Sequence, residues 1–112
     1  MTWKITFFNE KVENQALRMP EGIRVRFLKM LEIMRLRGPD LGMPHSRALG
    51  EGLFEIRAKA PEGIGRFFYC TKIGKEIIVL HSFVKKTQQT PHRHLERVAS
   101  AIPQVDRRVK RA

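Results

Sequence analysis

Between Leu53 and Val84 the chain passes from strict alternation to an almost unbroken apolar run, and this constrains the fold more than any other feature. Leu53–Lys59 alternates: Phe54, Ile56 and Ala58 fall on one side, Glu55, Arg57 and Lys59 on the other. Gly65–Thr71 is aromatic and β-prone, and Ile73-Gly74-Lys75 reads as a turn. Glu76–Val84 is nearly all apolar and reads as a central strand. The connections are too short for crossover helices, so the three segments predict an antiparallel meander.

Residues 2–8 read as a further strand, rich in β-branched and aromatic types. Two helices are expected after it. Residues 10–18 place Val12, Ala16 and Leu17 at helical spacing before Met19-Pro20. Pro20-Glu21-Gly22 opens the second, where Ile23, Phe27, Met30, Leu31 and Met34 form one apolar face. Gly38-Pro39 ends it, and residues 39–52, with their Gly and Pro, read as a loop. Thr90-Pro91 marks a last helix, with Leu95, Val98, Ala99 and Ile102 as its apolar stripe and Pro103 as its stop or kink. The expected class is α+β, in the order β-α-α-β-β-β-α. A helical hairpin covers one face of a small, mainly antiparallel sheet, and the other face is partly open. At 112 residues the chain is expected to be one domain, 1–112, with 103–112 as a basic, frayed tail.

Composition narrows the function. The chain carries 22 Lys and Arg against 11 Asp and Glu, a net charge of +11. Of the 28 residues from 85 to 112, 8 are basic and 2 acidic. Such an excess points to polyanionic partners, nucleic acid first. A single cysteine, Cys70, excludes an internal disulfide and a Cys-rich zinc module, and its aromatic neighbours make it a core residue. No apolar stretch has the length of a membrane span, and the N-terminus lacks the pattern of a signal peptide, so a cytoplasmic protein without membrane contact is expected. There is no Walker loop and no Gly-x-Gly-x-x-Gly. His92-Arg93-His94 has no cysteine beside it, and its two histidines point to different sides of a helix, so no metal site and no cofactor are expected. His81 lies in an apolar strand and reads as a core histidine.

If Phe54 and Ile56 face the helices, Arg57 and Lys59 face away, and Arg66 on the next strand reaches the same side. Lys85-Lys86 follow the last strand, and His92 sits in the first turn of the last helix. Two readings stand side by side: a phosphate-binding groove, or scattered edge charges of the kind that deter aggregation.

Three blocks carry a resemblance. Leu53-Phe54-Glu55-Ile56-Arg57, then Gly65-Arg66-Phe67-Phe68-Tyr69, then Val79 to Pro91 (Val-Leu-His-Ser-Phe-Val-Lys-Lys-Thr-Gln-Gln-Thr-Pro) resemble the RelE/ParE toxin superfamily, most of all its phage-derived HigB-like branch. Order and spacing match over about residues 50–100. The resemblance implies a RelE-like fold and the toxin of a type II toxin–antitoxin pair. It implies a metal-independent endoribonuclease that cuts mRNA on the ribosome. The alternatives are a DNA gyrase inhibitor of the ParE type and a non-catalytic, phage-derived nucleic-acid-binding protein. The implied partners are the ribosome, mRNA and a cognate antitoxin, helix-turn-helix and HigA-like. By position, Arg57, Arg66, Lys86 and His92 fall at the catalytic places, with Lys59, Lys85, Thr87 and Arg93 as RNA contacts. Where RelE proper carries a lysine pair, this chain has Glu55 and Arg57.

Overall fold

The computed structural model describes residues 2–39, 46–50, 52–85 and 96–104. Its order is β1 (Lys4–Phe7), α1 (Glu10–Leu17), α2 (Glu21–Arg37), β2 (Ser46–Gly50), β3 (Leu53–Ala60), β4 (Gly63–Ile73) and β5 (Glu76–Lys85). A last helix, α3, covers 96–104. The strands form one sheet in the order β1-β5-β4-β3-β2. The meander is present as expected: β3, β4 and β5 pair antiparallel. β1 joins the far edge parallel to β5, with Lys4 opposite Glu76 and Phe7 opposite Val79. The sheet is therefore mixed at that edge.

β2 lies inside the segment expected to be a loop. It pairs antiparallel with β3, Ser46 opposite Ile56 and Ala48 opposite Phe54. Four of its five residues are exposed. Its backbone pairing holds it in place, and it carries no hydrophobic alternation for a sequence reading to find.

The hairpin is built as its spacing dictates. Asn9 caps α1, its side chain accepting from the Val12 amide at 2.9 Å. Ile23, Phe27, Met30, Leu31 and Met34, all named by periodicity, are buried. They pack with Val12 and Ala16 against Ile56, Ala58, Phe67, Tyr69, Ile77 and Val79 on one face of the sheet. Phe27 stacks flat on Phe67, ring centroids 3.7 Å apart. A Cβ on Gly65 would run into the Ile23 side chain, so glycine is what lets α2 lie this close to β4.

The opposite face is less open than expected. Val98 and Ala101 of α3 are buried on Phe68, Cys70, Ile78, Leu80 and Phe83. Ile102 is partly buried there, whereas Ala99 faces outward. Helix α3 extends through Pro103 to residue 104; its expected start at Thr90-Pro91, Leu95, and most of the expected basic tail lie outside the described residues. Cys70 and His81 are buried, as their apolar surroundings in sequence implied.

Candidate functional site

Strand alternation and register bring three charged side chains together. In the β3–β4 pair, Arg57 stands directly opposite Arg66, and Glu55 lies two residues back on the same face of β3. Two guanidinium groups facing each other across a ladder repel. Glu55 lies between them. Its Oε1 accepts from Arg57 Nε at 3.0 Å. Arg66 Nη1 is shared between Oε1 and Oε2, each at 3.4 Å, a longer and weaker contact. The side chains of Glu55 and Arg66 are 6% and 3% exposed, whereas that of Arg57 is 31% exposed. The trio carries a net charge of +1, and its accessible part is Arg57.

This arrangement divides the expected site. Arg57 and Arg66 are brought together. Lys59 instead lies beside α2, lining a groove with Arg26, Lys29 and Arg37. Lys85 ends β5, opposite Ile64. Lys86, Thr87, His92 and Arg93 lie outside the described residues. Glu55 is the member that the sequence reading did not assign. Alternation placed it on the face of Arg57, but its burial between two cations follows from the register of β4, which no local pattern encodes.

A second polar cluster braces the β2 edge. The Tyr69 hydroxyl, fully buried, donates to the Pro39 carbonyl. Ser46 Oγ lies 2.9 Å from the Tyr69 hydroxyl oxygen and, with the tyrosine proton engaged, is the donor there. A third contact sits at the start of α2, where Pro20 provides no side-chain cap. The Glu62 carboxylate, from the β3–β4 turn, accepts from the Gly22 amide at 3.0 Å. That hydrogen bond is the main reason its pKa lies below the ordinary value; a further one from its own backbone adds to it, and slight desolvation opposes it.

Among the described residues no group of three or more His, Cys, Asp or Glu side chains is placed to hold a metal ion. No described helix is long and apolar enough to cross a membrane.

The fold and the cluster define a small, strongly basic α+β protein with an ion-paired arginine couple on its sheet. Residues 15–102 match the family described as phage derived protein Gp49-like (DUF891), and the chain belongs to that family. No curated protein matches it. Among solved structures it is similar to a chain in the crystal structure of the archaeal RelE–RelB complex from Pyrococcus horikoshii OT3. The TM-score is 0.49 and the identity 19%, with 75% of this chain and 96% of that chain covered.

Proposed function

We propose that the protein is the toxin of a type II toxin–antitoxin pair and acts as a ribosome-dependent mRNA endoribonuclease. Membership of the phage-derived family and the three sequence blocks over residues 50–100 support the toxin reading. The observation that carries the nuclease reading is the arginine couple held by a buried carboxylate on a sheet face. Internal cleavage of RNA requires three things. The 2′-hydroxyl loses a proton, charge builds on the phosphorane oxygens, and the 5′-oxygen gains a proton.

An arginine stays protonated throughout and matches phosphate oxygens in pairs, so Arg57 is suited to the second task. Glu55 fixes the Arg57 guanidinium through Nε, which leaves its outer nitrogens for phosphate. Arg66, buried behind Glu55, adds positive potential without solvent contact. Proton transfer falls to His92 and Lys86 in this reading, His92 because its ordinary pKa lies near neutrality. The partners are then the ribosome, mRNA and an antitoxin.

The test is a purified translation reaction on a defined mRNA, with and without ribosomes, followed by mapping of RNA 5′ ends. Cuts at in-frame codons, made only while ribosomes translate, are expected. Intact mRNA in both reactions, from protein that is toxic in cells, overturns the nuclease reading and directs attention to a supercoiling assay.

A further inference from the structure

Partway along β5 its neighbour stops. β1 pairs with it as far as Val79, whose carbonyl accepts from the Phe8 amide. A bulge follows at once: Tyr69 lies opposite Val79 and Phe68 opposite His81, so Leu80 is the extra residue. Beyond it, His81 falls on the α3 side of the sheet with Phe68, and Ser82 on the hairpin side with Phe67. An open cleft wraps round this strand edge, between the end of α1 and α3. Its larger part, about 510 Å³, is lined by Gln15, Arg18, His81, Ser82 and Arg97, with Met19 and Phe83 as apolar wall. A smaller part of about 190 Å³ continues past Gln15 and His81 to Lys11 and Gln104.

Sign, donor and size each bear on what fits there. Lys11, Arg18 and Arg97 line the cleft, and among the described residues no Asp or Glu does. Cations of one sign in a concave site focus positive potential on whatever enters. Ser82 is 4% exposed, yet its Oγ has no hydrogen-bond partner among the described residues. A buried hydroxyl without a partner is costly, and an incoming acceptor would relieve it. The volume is that of a small organic ligand, and inorganic phosphate would leave most of it unfilled. The acceptor that suits two guanidinium forks and a hydroxyl together is a phosphate group.

From the unpartnered Ser82 hydroxyl in this acid-free, arginine-flanked cleft, we propose that the end of β5 beyond Val79 binds a small organic phosphate of nucleotide size. Arg18 from α1, Arg97 from α3 and Ser82 between them hold the phosphate. The ligand thereby ties α3 to α1 across the strand edge. The cleft shares no residue with the Arg57–Glu55–Arg66 cluster, so a failed cleavage assay leaves it intact, and its failure leaves the nuclease reading intact.

The probe is adenosine monophosphate, titrated calorimetrically into the full chain at physiological ionic strength. The comparators are adenosine, inorganic phosphate and a 2′-O-methyl trinucleotide without a terminal phosphate. Adenosine monophosphate is expected to bind at least about tenfold more tightly than each of them. Arg18→Gln and Arg97→Gln, both at exposed positions, are each expected to weaken it about tenfold. Lys29→Gln removes the same charge from α2 and is expected to leave affinity within about twofold of the parent. Ser82→Ala separates ligand from scaffold. Without nucleotide its melting temperature should match or exceed the parent's, and the rise on adding nucleotide should shrink. Absence of binding, adenosine as tight as its monophosphate, or an equal loss in Lys29→Gln overturns the proposal. Inorganic phosphate as tight as the nucleotide also overturns it, by reducing the cleft to an anion hole. So does an equally tight trinucleotide that the Arg18 and Arg97 variants release, by assigning the cleft to an RNA strand.

Discussion

Glu55 touches two guanidinium groups, and its removal has unequal consequences for them. Arg57 is partly in solvent, so water and ions replace its lost partner. Arg66 is buried, and water cannot replace the carboxylate that faces it there, so losing that counter-charge is costly. Breaking such a pair from one side costs about 3–5 kcal/mol, whereas a partly exposed ion pair contributes only about 0–1 kcal/mol. Glu55→Ala is therefore expected to destabilise the fold by about 3 kcal/mol or more, and Arg57→Ala by less than about 1 kcal/mol. Urea denaturation of the two variants checks this. In the translation assay Arg57→Ala should still fold and lose about a hundredfold in cleavage, the loss typical of one removed transition-state donor. Equal stability of the two variants would show that Glu55 does not compensate Arg66.

At the scale of elements, legibility followed side-chain patterning. The buried face of α2 was readable residue by residue, because packing selects apolar types at helical spacing. The meander was readable because alternation and short turns leave one arrangement. β2 was not, since a mostly exposed edge strand is held by backbone pairing. Nor was the parallel docking of β1, which depends on how the hairpin carries the chain back across the sheet. The same split holds for the site. Arg57 and Arg66 were legible as strand residues of one face, but the Glu55 bridge needed the register between strands.

Two element-level contacts yield predictions. Gly65→Ala forces a methyl group into Ile23, a buried and β-branched side chain, and is expected to cost about 1–3 kcal/mol by overpacking. Thermal denaturation reads it, and Ile23→Ala in the same chain should recover part of the loss relative to the sum of the single changes. Glu62 ties the β3–β4 turn to the first turn of α2, with its pKa lowered by the Gly22 amide. A carboxylate whose folded pKa is depressed adds stability above its unfolded value, near 4.5, and loses it as pH falls through the lowered folded value. Glu62→Gln should therefore melt below the parent protein at neutral pH, and the gap should close as the pH drops below 4.5. A gap that does not change with pH would mean that the contact acts without the charge.

On the scale of the whole molecule, the sheet has two apolar faces and different kinds of cover. The hairpin covers one with helices that lie early in the chain and pack from Val12 to Met34. The other depends on α3, whose described residues bury Val98 and Ala101 on Phe68, Cys70, Ile78, Leu80 and Phe83. The strands beneath are shared, so neither face can be stripped without exposing the middle of β4 and β5. Val98→Asp tests that dependence. A carboxylate at a 3%-exposed position in this cluster either stays buried at a large desolvation cost or drives α3 off the sheet. Detachment is the cheaper course, because the described part of α3 is held to the sheet by this apolar contact, and a surface helix draws most of its stability from such packing. The expected outcome is a protein that keeps most of its far-ultraviolet circular dichroism, binds a hydrophobic dye, and aggregates at concentrations where the parent stays soluble. Hydrogen exchange should quicken in α3 and β5 while α2 remains protected, because α2 rests on the face that the substitution leaves intact. Uniform loss of protection across both helices would show instead that the two faces unfold as one unit and that α3 is integral to the whole sheet.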